Sequence, residues 1–205
     1  MNRTDWEIVN RQLVAKMLAE LEYEQVFHAE SLGDDRHAIN LPGAEWHFSA
    51  QRGIWGWLWI DPATLRCADE PVVAQTLLMQ LKSVLSMSDA TVAEHMQDLY
   101  ATLLGDLQLR NARRGLSAED LIALDADRLQ CLLSGHPKFA FHKGRRGWGQ
   151  DALTRYAPAY ASTFPLHWPA AKRPSMACRC HRPLASAPPP APATKKASVQ
   201  PADNG

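Results

Sequence analysis

Apolar residues recur at helical spacing in four stretches of the chain. From Thr4 to about Tyr23 they follow one another at steps of three and four residues with charged residues between them, namely Trp6, Val9, Leu13 and Met17. This period places them on one face of an α-helix. Similar stripes predict helices from Pro71 to about Leu85, from Asp89 to about Arg113, and from Ser117 to Leu133.

Between Glu24 and Cys67 the pattern changes to that of β-strands. Short runs rich in aromatic or β-branched residues alternate with turn residues; the runs are Gln25–His28, His37–Leu41, Glu45–Ser49 and Ile54–Ile60. They predict a small antiparallel meander. In the last run Trp55, Trp57 and Trp59 share one face, which is typical of a core strand. The predicted fold class is therefore α+β, a helical bundle with a small antiparallel sheet.

A basic, glycine-containing segment, Ser134–Trp148, follows the last predicted helix. It places two histidines, two lysines, two arginines and three glycines within fifteen residues. Glycine lets the backbone approach a ligand closely, and arginine binds carboxylate or phosphate through two nitrogens. On the residues alone, a solvated surface turn is the commoner outcome and an anion site is the alternative. No Walker-type motif is present, so the chain is not a P-loop protein.

Composition narrows the classes of function. The chain has 205 residues, of which 46% are hydrophobic and 21% charged, as in an ordinary globular protein. Its 22 basic and 22 acidic side chains cancel, which disfavours nucleic acid as a partner. Four irregularly spaced cysteines predict no disulfide framework. Without a signal peptide or a long apolar run, we expect a cytoplasmic protein with no membrane partner.

From Pro169 onward the composition shifts to proline, alanine, serine and lysine. Such a segment buries too little apolar surface to fold, so residues 169–205 are predicted to be disordered. A frameshift near residue 169 is a second interpretation of the same change. The tail also holds Cys178, Cys180 and His181, which resemble half of a zinc knuckle but lack a second pair. We therefore predict no metal site.

The basic segment resembles the Gly-His-Pro…Lys-x-Arg-x-Gly-aromatic signature of the NRPS-independent siderophore synthetases, the IucA/IucC family. The matching residues are Gly135, His136, Pro137, Lys143, Arg145, Gly147 and Trp148. Where the common pattern has a second His-Pro pair, this chain has Phe139–Ala140, as in the aerobactin branch. The resemblance runs from about residue 1 to 168 and corresponds to the N-terminal portion of the family. It implies an N-terminal domain at 1–134 and the start of a nucleotide-binding domain at 135–168.

The resemblance also implies an activity, that of an ATP-dependent acid–amine ligase with ATP and Mg²⁺ as cofactors. Such an enzyme activates a carboxylate of citrate or of a citryl monoamide as an acyl adenylate, which an amine then attacks. In the aerobactin branch the amine is a hydroxylated, acetylated lysine. His136, Lys143 and Arg145 would belong to the nucleotide phosphate site, and Gly135 and Gly147 would allow close backbone approach. No catalytic residue is assigned.

The family continues for well over twice this length, so we expect the chain to carry part of the site and to be inactive alone. The alternative is a non-catalytic interaction or oligomerisation module, with a homo-oligomer left open. Two smaller expectations concern α-helical residues outside the motif. Arg110, Arg113 and Arg114 are interpreted as a solvated helix end that complements the helix dipole, and His95 as a packing residue.

Overall fold

A long first helix supports the rest of the fold. The computed structural model describes residues 3–68 and 70–160, so the predicted disordered tail lies outside the described residues. Helix α1, Arg3–Tyr23, buries one face completely, including Val9, Leu13, Val14 and Leu18. The predicted first helix is confirmed.

An antiparallel sheet packs beside this helix. Its strands are β1 (Glu30–Gly33), β2 (Arg36–Leu41), β3 (Ala44–Arg52), β4 (Leu58–Ile60) and β5 (Arg66–Cys67). The order is β1-β2-β3-β4, and β5 pairs with β3 through Trp46 and Cys67. Along β3, Trp46, Phe48 and Ala50 alternate with more exposed residues, so one face of the sheet enters the core.

Two parts of the predicted meander are wrong. Gln25–His28 is a turn after α1, with Gln25 in the left-handed region at φ 61°, and the first strand begins at Glu30. Of the run Ile54–Ile60 only the last three residues form a strand, because Gly56 at φ 81° turns the chain.

Two tryptophans of this run lie outside the core. Trp55 is 82% exposed and Trp59 is 67% exposed, so the prediction of a core tryptophan face is wrong for both. Of the three tryptophans in this run, Trp57 alone packs against the core, and its ring centroid lies 5.6 Å from that of Tyr23.

Two helices complete the main core. Helix α2, Ala74–Val84, begins three residues after the predicted Pro71 and buries Leu77 and Leu81. Helix α3, Asp89–Ala112, is capped by the Ser88 side chain, which accepts a hydrogen bond from the Thr91 amide. Its buried residues include Leu99 and Leu103, which pack with α1 and α2.

The predicted helix Ser117–Leu133 is divided in two. Helix α4 spans Ala118–Ile122 and helix α5 spans Ala126–Leu132. The division occurs because the Asp125 side chain accepts a hydrogen bond from the Arg128 amide and so caps a new helix. Neither helix buries a residue. Helix α6, Gln150–Tyr156, and a short 3-10 turn, Pro158–Tyr160, follow.

The predicted α+β class is confirmed. All described residues belong to one compact unit, Met1–Pro165. The predicted boundary between residues 134 and 135 stays a prediction. Within the described ranges, no helix combines the length and apolar character that crossing a membrane requires.

Candidate functional site

The segment Ser134–Trp148, which we call the basic loop, is held by two side chains of α1. The Lys16 ammonium donates a hydrogen bond to the His136 carbonyl. One turn later, Glu20 Oε2 accepts a hydrogen bond from the Ala140 amide at 2.7 Å. Because residues four apart lie on the same face of a helix, the two contacts fix both ends of the segment 136–140 against α1.

His142 closes the base of the loop in its neutral form. Its Nε2 lies 2.6 Å from the Ser134 carbonyl oxygen, which can only accept, so Nε2 carries the proton. Its Nδ1 lies 3.1 Å from Lys16 Nζ and 3.2 Å from the Phe139 carbonyl oxygen, and in the neutral ring with the proton on Nε2 it accepts from the ammonium. Burial lowers the pKa of His142, and the charge of Lys16 lowers it further.

Gly135 is required where this histidine meets the backbone. It has φ +88°, and a Cβ atom at this position would lie 2.4 Å from His142 Cδ2. Any larger residue would therefore both strain the backbone and displace the ring.

Lys143 is directed toward α3. Its ammonium forms an ion pair with Asp106, and its side chain is only 12% exposed. Its methylene groups cross Gly105, where a Cβ atom would lie 2.8 Å from Lys143 Cδ. Much of its charge is therefore matched by a carboxylate within the fold.

The two adjacent arginines differ in their partners. Arg146 pairs with Glu94 at 2.9 Å and with Asp98 at 3.3 Å, so it attaches the loop to α3. Arg145 is exposed, and its NH1 donates to the Gly144 carbonyl at 2.8 Å and the His142 carbonyl at 3.3 Å. Within the part of the chain that the structure describes, its Nε and NH2 form no hydrogen bond.

Four of the five predicted site residues line one cleft. This cleft, which we call the loop cleft, has a volume of about 520 Å³ and lies between the basic loop, α5 and the 3-10 turn. Gly135, His136, Lys143 and Arg145 contribute to its wall. Gly147 does not, and lies in a separate depression beside α3. The binding roles of all five residues stay predictions.

A second and larger cleft was not foreseen from the sequence. It has a volume of about 740 Å³ and lies between α1, α3 and residues 134–137; we call it the helix cleft. Its charged or ionisable lining residues are Asp5, Lys16, Asp106, Arg110, Arg113, Arg114, His136 and His142.

The arginines at the end of α3 are more than a solvated helix end. Arg110 Nε donates to Asp5 Oδ1 at 2.8 Å, and Arg114 binds the other oxygen of the same buried carboxylate. The hydrogen bond from Arg110, opposed by burial and aided by Arg114, lowers the pKa of Asp5. No signal in the sequence indicates this pairing, since Asp5 lies more than a hundred residues earlier.

Two other expectations concern His95 and metal binding. The ring centroid of His95 lies 5.6 Å from that of Phe141, which agrees with a packing role. Across residues 3–68 and 70–160, no group of three or more His, Cys, Asp or Glu side chains is arranged to hold a metal ion. Cys178, Cys180 and His181 lie outside the described residues.

Comparison with known proteins shows what the chain is similar to. Residues 122–200 match the model of the IucA / IucC family. Over 180 residues, 88% of the chain, the sequence is 80% identical to an aerobactin synthase of Escherichia coli and covers 31% of it. The chain is similar to the IucA/IucC family. The expected resemblance is confirmed, and the family match extends further along the chain than residue 168. The frameshift interpretation of the tail stays a prediction.

Further relatives show the same similarity. An aerobactin synthase of Vibrio mimicus is 42% identical over 159 residues, which are 75% of this chain and 27% of that protein. The solved structure of aerobactin synthetase IucC from Klebsiella pneumoniae superposes with a TM-score of 0.80 at 84% identity, covering 82% of this chain and 31% of that one. The chain thus spans about a third of the length of the family members it matches.

Proposed function

We propose that the chain supplies part of the nucleotide-binding site of an ATP-dependent acid–amine ligase in siderophore biosynthesis. The observation that carries this proposal is the convergence of Gly135, His136, Lys143 and Arg145 on the loop cleft. Its volume of about 520 Å³ is within the range of small-molecule sites. The donors on its wall are of the kind that bind phosphate oxygens.

Each of these residues has a distinct role in the proposed site. Arg145 offers Nε and NH2 to a phosphate, since only its NH1 is used by the backbone. His136 Nδ1 accepts hydrogen bonds from the amides of Lys138 and Phe139 at 3.2 and 3.0 Å, so in the neutral ring Nε2 carries the proton and donates. Lys143 adds positive charge while it remains anchored to Asp106.

ATP with Mg²⁺ would supply the activation of a carboxylate for amide formation. Because the E. coli and Vibrio relatives are aerobactin synthases, we propose citrate or a citryl monoamide as the acid and a hydroxylated, acetylated lysine as the amine. The role of this chain is to hold the phosphates against the basic loop, where their negative charge is offset.

Calorimetric titration of the 205-residue chain with Mg-ATP tests the site. We expect weak, saturable binding that falls about tenfold in Arg145→Gln, because one charge-assisted contact to phosphate is lost. Arg128→Gln is the matched control, since Arg128 is an exposed residue of α5 outside both clefts. Equal ATP affinity in the two variants would exclude Arg145 from the site.

Catalysis by the chain alone is expected to be absent, because it spans about a third of its relatives. Citrate-dependent formation of AMP by the purified chain, measured by chromatography, would overturn this expectation.

A non-catalytic interaction module is a second candidate, favoured by one observation. Ile54, Trp55 and Trp59 are 94%, 82% and 67% exposed on the hairpin between β3 and β4, and large exposed apolar residues in one place are typical of interaction surfaces. Light scattering after size exclusion would detect self-association, and the double variant Ile54→Ser, Trp55→Ser should abolish it. A monomer at all concentrations removes self-association as the role of this surface.

A further inference from the structure

The helix cleft has an excess of positive charge that the fold does not neutralise. Asp5 is bound by Arg110 and Arg114, and Asp106 is bound by Lys143. Two cations of the cleft wall, Lys16 and Arg113, remain. Within residues 3–68 and 70–160, neither forms an ion pair with a carboxylate.

These two cations both contact the start of the basic loop, at residues 134 and 136. Lys16 reaches the His136 carbonyl from α1, and Arg113 NH1 lies 3.3 Å from Ser134 Oγ at the end of α3. Residues 134 and 136 are two positions apart, so their α-carbons are separated by at most about 7 Å. The ammonium and the guanidinium therefore converge from two helices on the same short stretch of backbone.

The guanidinium of Arg113 is incompletely hydrogen-bonded. Its Nε is buried, yet it has no partner among the described residues. Buried N–H groups are nearly always paired. Because this Nε is closed to solvent, a ligand in the cleft would reach NH1 and NH2, and NH2 forms no hydrogen bond among the described residues. The Lys16 ammonium, with three N–H bonds and two protein partners, also has a donor in reserve.

We propose that the helix cleft binds a small oxyanion of two or more negative charges through Lys16 and Arg113, at a subsite beside the loop cleft, with which the helix cleft shares Gly135, His136 and His142. The guanidinium offers a planar pair of donors to a carboxylate or phosphate group, and the ammonium offers a point charge beside it. Arg110 and Arg114, held by Asp5, extend the positive wall. This subsite does not depend on the proposed nucleotide function.

Calorimetry of the 205-residue chain with two probes, inorganic pyrophosphate and tricarballylate, tests the proposal. We expect saturable binding of at least one probe, weakened about tenfold in Arg113→Gln and unchanged in Arg128→Gln. Binding of pyrophosphate alone assigns a phosphate-type ligand, and binding of tricarballylate alone assigns a carboxylate-type ligand. Failure of both probes to bind at millimolar concentration overturns the proposal.

The loop cleft must be separated from the helix cleft, because pyrophosphate is also a candidate for the former. Binding that falls in Arg145→Gln and not in Arg113→Gln belongs to the loop cleft and overturns the helix-cleft site, while the proposed function survives. The opposite pattern supports the helix-cleft site.

A measurement on the chain without substitutions tests the site even if a variant fails to fold. In protein labelled with ¹⁵N-arginine, the Nε–H resonance of Arg113 should shift as the bound probe saturates. An Arg113 resonance that stays fixed while a probe binds contradicts the proposal.

Discussion

The core and the basic loop are held in place by different forces. The core, formed by α1, the sheet, α2 and α3, buries large apolar side chains such as Ile39, Trp46, Leu77 and Leu99. From residue 113 to 160, the buried apolar residues of the described structure are Ala140, Leu153 and Ala157, and α4 and α5 bury none.

In the basic loop, polar contacts are added to limited apolar burial, in which Ala140 joins the core and Phe141 packs against it. Lys16 and Glu20 of α1 bind its backbone, and Asp98 and Asp106 of α3 bind its basic side chains. Such contacts are directional but individually modest in water, whereas burial of apolar area is large and non-directional. We infer that the core sets the stability of the chain and that the polar contacts set the geometry of the site.

The largest expected effect is on the core. Trp46→Ala should lower the free energy of unfolding by about 3–5 kcal/mol, because it empties a fully buried position and leaves Gln80 without the indole donor at 2.9 Å. Urea denaturation followed by circular dichroism measures this loss. Trp55→Ala, at an 82% exposed position, is the matched control and should change stability by less than about 0.5 kcal/mol. Similar losses in both variants would remove the distinction between core and surface.

The next effect is confined to the loop. Asp106→Asn removes the negative charge that pairs with the Lys143 ammonium, and we expect local destabilisation of about 1–3 kcal/mol. The Gly144 amide, which donates to the Phe141 carbonyl at 2.9 Å, should then exchange with deuterium about ten to a hundred times faster. Asp34→Asn, at a 95% exposed carboxylate, should leave this exchange unchanged. Unchanged exchange in Asp106→Asn would show that the ion pair does not position the loop.

The pH dependence of the loop should follow His142. Burial and Lys16 lower its folded-state pKa below the ordinary 6.5, so between the two pKa values the unfolded chain binds more protons. The stability contributed by the neutral His142 ring is therefore fully present above about pH 6.5 and is lost as the pH falls through the folded-state pKa. NMR titration of the ring should give a midpoint below 6.5, and His142→Asn should remove the acid-induced loss of loop protection. A midpoint at or above 6.5 contradicts the neutral assignment.

Glu20 requires a separate control in this experiment. Burial raises the pKa of Glu20, and the Ala140 amide and Lys16 offset this only in part. Its effect on folding stability is therefore opposite in sign to that of His142, because stability falls as the pH rises from about 4.5 toward the folded-state pKa. Repeating the titration in Glu20→Gln isolates the histidine.

The smallest effect should come from α4. Ser117 and Asp120 form a capping box, with the Ser117 Oγ accepting from the Asp120 amide at 3.1 Å. Ser117→Ala should fray this helix, yet change the global free energy of unfolding by less than about 0.5 kcal/mol because α4 buries no residue. Hydrogen exchange in α4 and urea denaturation measure the two effects. A large global loss would mean that α4 is part of the core.

The core could be predicted from the sequence better than the loops and turns around it. The periodic apolar stripes of α1, α2 and α3 predict the core helices, because burial imposes the period. Ser88 and Ser117 each precede a helix and cap it, and serine is a preferred N-cap residue. The break at Asp125 and the turn at Gly56 were missed, since local hydrogen bonding and a positive φ there override the apolar pattern.

The basic loop of the candidate site could be predicted from the sequence, but the residues that hold it could not. The glycines and cations of the basic loop are contiguous in sequence, so the motif could be recognised there. Lys16, Glu20 and Asp106 contact this loop from positions up to 126 residues away. Ion pairs between charged residues that are far apart in the chain produce no periodic pattern in a single sequence.

One measurement tests the central claim most directly, a crystal structure of the 205-residue chain with Mg²⁺ and a non-hydrolysable ATP analogue. The account predicts that the phosphates lie in the loop cleft, within hydrogen-bonding distance of Arg145 and His136, with Lys143 still paired to Asp106. An analogue bound elsewhere, with the loop cleft unchanged, would contradict it.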